Sequence, residues 1–143
     1  MISIVDKQIT FERVIDVDHK KAFEVVSNFD KYAEFIPGCS GSSLIERKHP
    51  VEIGRLDFHV LGKDYFIESE NTLTKNSINI NQITGPFDHF KGSWVVKKRD
   101  EFSCHVSFNA SFQLPFLLNA IIPQSLIDSF SSKVLNSFIS RLT

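Results

Sequence analysis

The chain has little of what staples, bends or pins a fold. Its 143 residues include two cysteines, six glycines, five prolines, one methionine and one tryptophan. Cys39 and Cys104 cannot make a disulfide framework, and no Cys-x-x-Cys is present, so a reducing compartment is expected. The five histidines, at 19, 49, 59, 89 and 105, form neither His-Glu-x-x-His nor a close His/Cys cluster, which leaves a metal site without support. Neither sign of charge dominates: Lys plus Arg is 16 and Asp plus Glu is 17, a net of −1. Domains that grip nucleic acid generically carry a basic patch or stripe. Here the basic clusters, Arg47-Lys48-His49 and Lys97-Lys98-Arg99, have Glu46 and Asp100-Glu101 beside them. That excludes a strong sequence-independent grip on phosphate but leaves a local RNA contact open. Long apolar runs are also missing. The longest, near Phe116–Ile122, falls short of the ~20 residues needed to span a bilayer. Met1–Lys7 lacks a basic start followed by an apolar core, so no signal peptide is read. A cytoplasmic location is expected, with any membrane contact peripheral, at the inner membrane.

What the chain has in quantity is phenylalanine: 14 Phe against 2 Tyr and 1 Trp, in a composition 42% hydrophobic and 23% charged. That composition forms cores. A chain of this length is the usual size of one domain and can bury roughly 68–70% of its unfolded surface. So many bulky apolar side chains suit either a dense core or a lined cavity.

The periodicity changes three times. Ile9, Phe11, Arg13 and Ile15 alternate with Thr10, Glu12, Val14 and Asp16, which predicts a strand near residues 2–15. Asp18 then reads as an N-cap before Ala22, Phe23, Val26 and Phe29 at helical spacing. A second short helix is expected from Asp30 to its stop at Pro37-Gly38. From Cys39 the period is two. Gly41–Glu46 can start a strand, punctuated by Pro50 and Gly54; Leu56, Phe58 and Val60 then lead to a hairpin turn at Gly62-Lys63-Asp64. Tyr65, Ile67, Ser69, Asn71 and Leu73 make the return strand, and Gly85-Pro86 breaks the pattern before Phe90, Gly92, Trp94 and Val96. In the last strand Phe102, Cys104, Val106, Phe108, Ala110 and Phe112 share one face. Beyond Leu114-Pro115, Leu118, Ile122, Leu126, Phe130, Val134, Phe138 and Leu142 recur in steps of four, and Pro123 either kinks this helix or opens its second half. The fold class is α+β, an antiparallel sheet whose apolar face the C-terminal helix covers.

Two segments carry a family resemblance. Asn28-Phe29-Asp30-Lys31-Tyr32-Ala33-Glu34-Phe35-Ile36-Pro37-Gly38-Cys39 resembles the D-V-x-x-Y-P-x-F-L-P-x-C stretch of START-like coenzyme Q-binding proteins and their relatives, the bacterial ribosome-association toxins. Gly85-Pro86-Phe87-Asp88-His89-Phe90-Lys91-Gly92-Ser93-Trp94 resembles the G-P-F-x-x-L-x-G-x-W segment of the same family. Ala33 stands where many relatives have Pro. Gly38 stands where the quinone-binding branch often has Trp, so Phe-Ile-Pro-Gly-Cys looks more like the toxin-labelled branch.

The resemblance implies a helix-grip (START-like) fold over residues 1–143 as a single ligand-binding domain: a curved antiparallel sheet of about six to seven strands around a long C-terminal helix, with an internal hydrophobic cavity. It also implies non-enzymatic binding of ubiquinone or a related polyisoprenoid lipid, in support of respiratory electron transport. No cofactor is expected, the quinone being the carried ligand. The alternative is a ribosome-association toxin or ribosome-interaction factor, with the ribosome as partner; a filled core is the third reading. The expected ligand-lining residues from the first half are Phe35, Pro37, Gly38, Phe58 and Val60. Phe87, Phe90, Trp94, Phe108 and Phe112 follow, facing Leu118, Ile122 and Leu126 of the helix. The polar head is expected at the mouth, near Pro37, Gly38 and Phe87-Asp88-His89. Transient membrane contact is expected between Pro115 and Pro123. His59, Glu68, Glu70 and His105 fall out of phase with the apolar positions, so no catalytic constellation is read.

Overall fold

Seven alternating segments become seven strands: β1 (Lys7–Ile15), β2 (Cys39–Lys48), β3 (Val51–Val60), β4 (Lys63–Leu73), β5 (Ser77–Thr84), β6 (His89–Asp100) and β7 (Ser103–Gln113). Helix α1 (His19–Ser27) and a 3₁₀ turn (Phe29–Glu34) lie between β1 and β2, and helix α2 (Gln124–Leu142) follows β7. The computed structural model describes residues 6–60, 62–115 and 122–142, with the backbone alone at Val60. The strands form one antiparallel sheet in the order β1-β7-β6-β5-β4-β3-β2. Every neighbour from β2 to β7 is therefore a hairpin partner, and β1 closes onto the last strand. The fold is the expected α+β helix-grip arrangement.

Register decides which side chains share the covered face, because a slip of one residue would turn every side chain over. Phe11 pairs with Phe108 and Ile15 with Cys104. Trp94 pairs with Phe108, Gly92 with Ala110 and Phe90 with Phe112. Ile78 faces Trp94, and Ile80 faces Gly92. These inward residues join Ala22 and Val26 of α1 and Val134, Leu135, Phe138 and Leu142 of α2 in one buried core. Asp18 caps α1 as expected, its Oδ1 accepting from the Lys20 N–H at 3.1 Å. The second short helix is a 3₁₀ turn, closed by Phe35 N–H donating to Tyr32 O at 3.2 Å, and Gly38 then takes φ +77°, a conformation open to glycine.

Several sequence expectations shift. Pro123 opens α2, its carbonyl accepting from the Leu126 and Ile127 N–H groups at 3.1 and 3.5 Å. Leu126 does not face the sheet: it is 54% exposed. Each step of four residues overshoots a 3.6-residue turn by ~40°, so three steps from Phe138 carry position 126 round to solvent. Phe102 is 77% exposed because it sits in the turn before β7 rather than in the strand. Gly54 lies inside β3, where the Phe29 ring packs against it: a Cβ there would stand 2.3 Å from Phe29 Cε1. The β3–β4 connection is also tighter than expected, with Val60 paired to Lys63.

Candidate functional site

The inner face carries two aromatic groups on neighbouring strands. Phe87, Phe90 and Phe112 form one, with ring centroids 5.2–5.9 Å apart. Phe11, Trp94, Phe108 and Phe138 form the other, with Trp94 lying 4.8 Å from Phe108 and 5.3 Å from Phe138. Gly92 and Ala110 are the paired small residues between them. The first group is held by Gln82, whose amide nitrogen donates to Phe87 O at 2.8 Å while its oxygen accepts from Phe87 N at 3.3 Å. Gly85 makes this clamp fit, since a Cβ there would lie 2.3 Å from Gln82 Oε1.

The second group is closed over by α2, and Trp94 and Phe138 are buried. The first group is more open: Phe87 and Phe90 are half-buried although they point inward, as are Phe108 and, on β3, Phe58. Phe58 shares the face from across the sheet, opposite Cys39 and Tyr65. Phe35 packs edge-on to Tyr32 at 5.5 Å, with the Arg141 guanidinium 5.8 Å from its ring centre. Pro37 is half-buried and Gly38 exposed at the adjoining turn. Ile122 is half-buried just before α2. Leu118 and the Val60 side chain lie outside the described residues, as does most of the segment expected to touch a membrane. The structure thus brings Phe87, Phe90, Trp94, Phe108 and Phe112 together and removes Leu126 from the set.

The interior also holds polar side chains that the apolar pattern did not single out. Glu52, Ser69 and Asn71 are 8%, 2% and 2% exposed. Glu52 and Asn71 are cross-strand partners. Glu52 Oε1 accepts from Arg47 Nε at 2.9 Å, and Ser69 Oγ donates to Asn71 Oδ1 at 2.9 Å. With Val26, Ser27, Phe29, Tyr32, Leu73, Ile78 and Ile80, Glu52 and Asn71 line a void of about 10 Å³, the space of a single water. The Tyr32 hydroxyl donates to Val26 O, and burial pushes its phenol well above the ordinary range. The signal was in the sequence: Ser69 and Asn71 keep step with Ile67 and Leu73, and Glu52 with Leu56 and Phe58.

Other reactive groups have structural explanations. Burial raises the thiols of Cys39 and Cys104, so neither is a ready thiolate. Asp6 accepts from Ser111 Oγ at 2.9 Å and pairs with His89 Nε2 at 3.0 Å. The hydroxyl there contacts the carboxylate rather than the imidazole, so no nucleophile–base pair is formed. Among the described residues, no group of three or more His, Cys, Asp and Glu could hold a metal ion, and no helix is long and apolar enough to cross a membrane.

Comparisons with known proteins agree with this architecture. The chain is 26% identical over 136 residues to the ribosome association toxin RatA of Vibrio cholerae, covering 94% of both chains. The crystal structure of the Zhui aromatase/cyclase from a Streptomyces species superposes with a TM-score of 0.82 at 16% identity, over 96% of this chain and 93% of that one. A START superfamily protein from Mycobacterium smegmatis gives a TM-score of 0.80 at 13% identity, over 95% and 97%. At those identities the solved structures speak to the fold, which hosts enzymes as well as binding proteins. The sequence model described as polyketide cyclase / dehydrase and lipid transport matches residues 15–139; with its curved sheet, aromatic inner face and C-terminal helix, the chain belongs to that family.

Proposed function

We propose that this chain, residues 1–143 acting as one unit, carries a hydrophobic small molecule between the aromatic inner face and α2 without converting it. The carried molecule is ubiquinone or a related polyisoprenoid, and delivery to a membrane surface supports respiratory electron transfer. One observation carries the reading: Phe58, Phe87, Phe90 and Phe108 point to the covered side of the sheet yet stay half-buried. An apolar chain laid against them leaves water at roughly 25 cal/mol per Å², and the aromatic faces ask for no specific hydrogen bond. Phe35, Pro37 and Ile122 extend the proposed lining. A non-catalytic role is supported by the inner face itself, where the carboxylate of Glu52 is already engaged by Arg47.

The test is native mass spectrometry with lipid extraction on protein purified from a quinone-producing host, followed by thermal melts with decylubiquinone. Co-purifying isoprenoid and a melting temperature that rises with ligand concentration are expected. Empty protein and an unmoved melt overturn the reading. A second reading, contact with the ribosome, is favoured by the similarity to RatA over 94% of both chains; the salt dependence of co-sedimentation with ribosomes tests it.

A further inference from the structure

Resting on the ribosome reading, we propose that the β6–β7 turn holds an unpaired nucleotide of RNA, its base stacked on Phe102 and the neighbouring phosphates met by Lys97, Lys98 and Arg99. Phe102 is 77% exposed and takes no part in the buried core. The turn closes without help from its ring. Asp100 Oδ1 accepts from the Phe102 N–H at 2.8 Å, and Asp100 pairs with Ser103 across the hairpin. An aromatic face therefore stands in water on a braced loop. Beside it, Lys97, Lys98 and Arg99 are exposed at the end of β6. Val96 N–H donates to Asn76 O at 2.8 Å, which brings the β4–β5 turn, with Lys75, alongside the same run. Lys75, Lys97 and Lys98 form no salt bridge among the described residues.

Chemistry narrows what fits there. Any base stacks on an aromatic ring, but only once it is free of a duplex, and the flanking phosphates then need nearby cations. Ring and lysines together match a single strand, whose phosphates pass in file and meet one cation each. A bilayer matches less well. The tip sets three cations against two carboxylates, Asp100 and Glu101, whereas anionic membrane surfaces are held by clusters of about 4–8 basic residues. Geometry also opposes a bilayer. The strands from β2 to β7 pair in chain order, so their turns alternate between the two ends of the sheet. The β4–β5 and β6–β7 turns lie at one end, and the β5–β6 turn with Phe87 lies at the other. A carrier resting on lipid through Phe102 would turn its open aromatic group away from the membrane.

The experiment follows the fluorescence anisotropy of a labelled RNA of about 12 nucleotides, alone and annealed to its complement, at about 50 mM salt. Phe102→Ala is expected to weaken binding of the single strand by about five- to tenfold, the lower range for one stacked base, and to leave the duplex unchanged. Phe102→Trp should bind the single strand at least as well as wild type. Lys97→Gln with Lys98→Gln should weaken both forms and flatten the salt dependence. Because Phe102 lies in solvent, its variants keep the fold, which a thermal melt checks. Single-strand binding unmoved by Phe102→Ala overturns the assignment, as does an equal loss for strand and duplex. Flotation with phosphatidylglycerol vesicles that is lost in Phe102→Ala would make the turn a membrane anchor and overturn it as well. Co-sedimentation with ribosomes separates this inference from the reading beneath it. Full ribosome binding by Phe102→Ala overturns the inference and leaves the ribosome reading standing, whereas wild type that binds no ribosomes overturns both.

Discussion

At the scale of the residue, what a phenylalanine contributes depends on what closes over it. Phe138 is completely buried against Trp94, whereas Phe108 stacks on Phe11 at 5.5 Å and on Trp94 yet stays half-buried. Phe138→Ala should cost about 3–5 kcal/mol, the usual range for a closed site. Phe108→Ala should cost clearly less, about 2 kcal/mol, because part of its surface is already in contact with water or a guest. Urea denaturation of the two variants checks this, and equal losses would mean that Phe108 is close-packed. Gly54→Ala tests the opposite error, overpacking. The new methyl would meet the Phe29 ring at 2.3 Å, and about 1–3 kcal/mol should be lost as the ring is pushed away. That glycine also explains a limit of legibility. Taken as punctuation, it cuts Glu52 off from Leu56 and Phe58, so the buried carboxylate goes unseen. Ser69 and Asn71 were placed on the correct face by parity alone, but alternation reports direction and not burial depth.

At the scale of the element, both ends of α2 are tied to other parts of the fold. Gln124 lays its amide along the free edge of β1, donating to Gln8 O at 2.7 Å and accepting from Gln8 N at 3.3 Å. One side chain thus imitates a strand neighbour and blunts an edge that could pair with another chain. Gln124→Ala should speed hydrogen exchange at the Gln8 amide while costing only about 1 kcal/mol globally; unchanged exchange would mean that other groups protect this edge. At the far end, Arg141 donates to Glu34 Oε1 at 2.8 Å, and this bond holds the Glu34 carboxyl below the usual glutamate range. A carboxyl depressed by folding stabilises above its unfolded pKa, and that gain is lost as pH falls through the folded one. The melting-temperature difference between wild type and Glu34→Gln should therefore be small but present at neutral pH, should start to shrink below about pH 4, and should vanish in stronger acid. A gap that persists in acid would assign it to packing. The strands were legible because period two survives local accidents. The helix phase was not, because a run of fours drifts from the true turn and leaves Leu126 in solvent, and because Phe102 extends the alternation of β7 into a turn that needs no apolar residue.

At the scale of the whole molecule, charge weighs the two readings against each other. Ribosomal surface is largely phosphate, and proteins that grip it by neutralising phosphates lose affinity steeply with salt. This chain has a net charge of −1. Its longest basic run, Lys97-Lys98-Arg99 at the end of β6, is exposed but runs directly into Asp100 and Glu101. Asp100 stays ionised there: bonds from the Phe102 N–H, first, and from Ser103 hold its carboxyl below the ordinary range. The run therefore offers a modest local field, enough for about two or three phosphate contacts by charge count. Co-sedimentation with purified ribosomes should accordingly show weak association at about 50 mM salt that falls by no more than about 10- to 40-fold by 200 mM, less than the ~10³ or greater loss of a protein making six or more such contacts. Lys97→Glu with Lys98→Glu should abolish what binding there is and leave uptake of decylubiquinone unchanged, since both residues lie outside the aromatic interior. Tight binding that survives 500 mM salt, or ribosome binding lost together with quinone uptake in that double variant, would mean that the ribosome is met through shape and apolar contact, and the carrier reading would no longer stand alone.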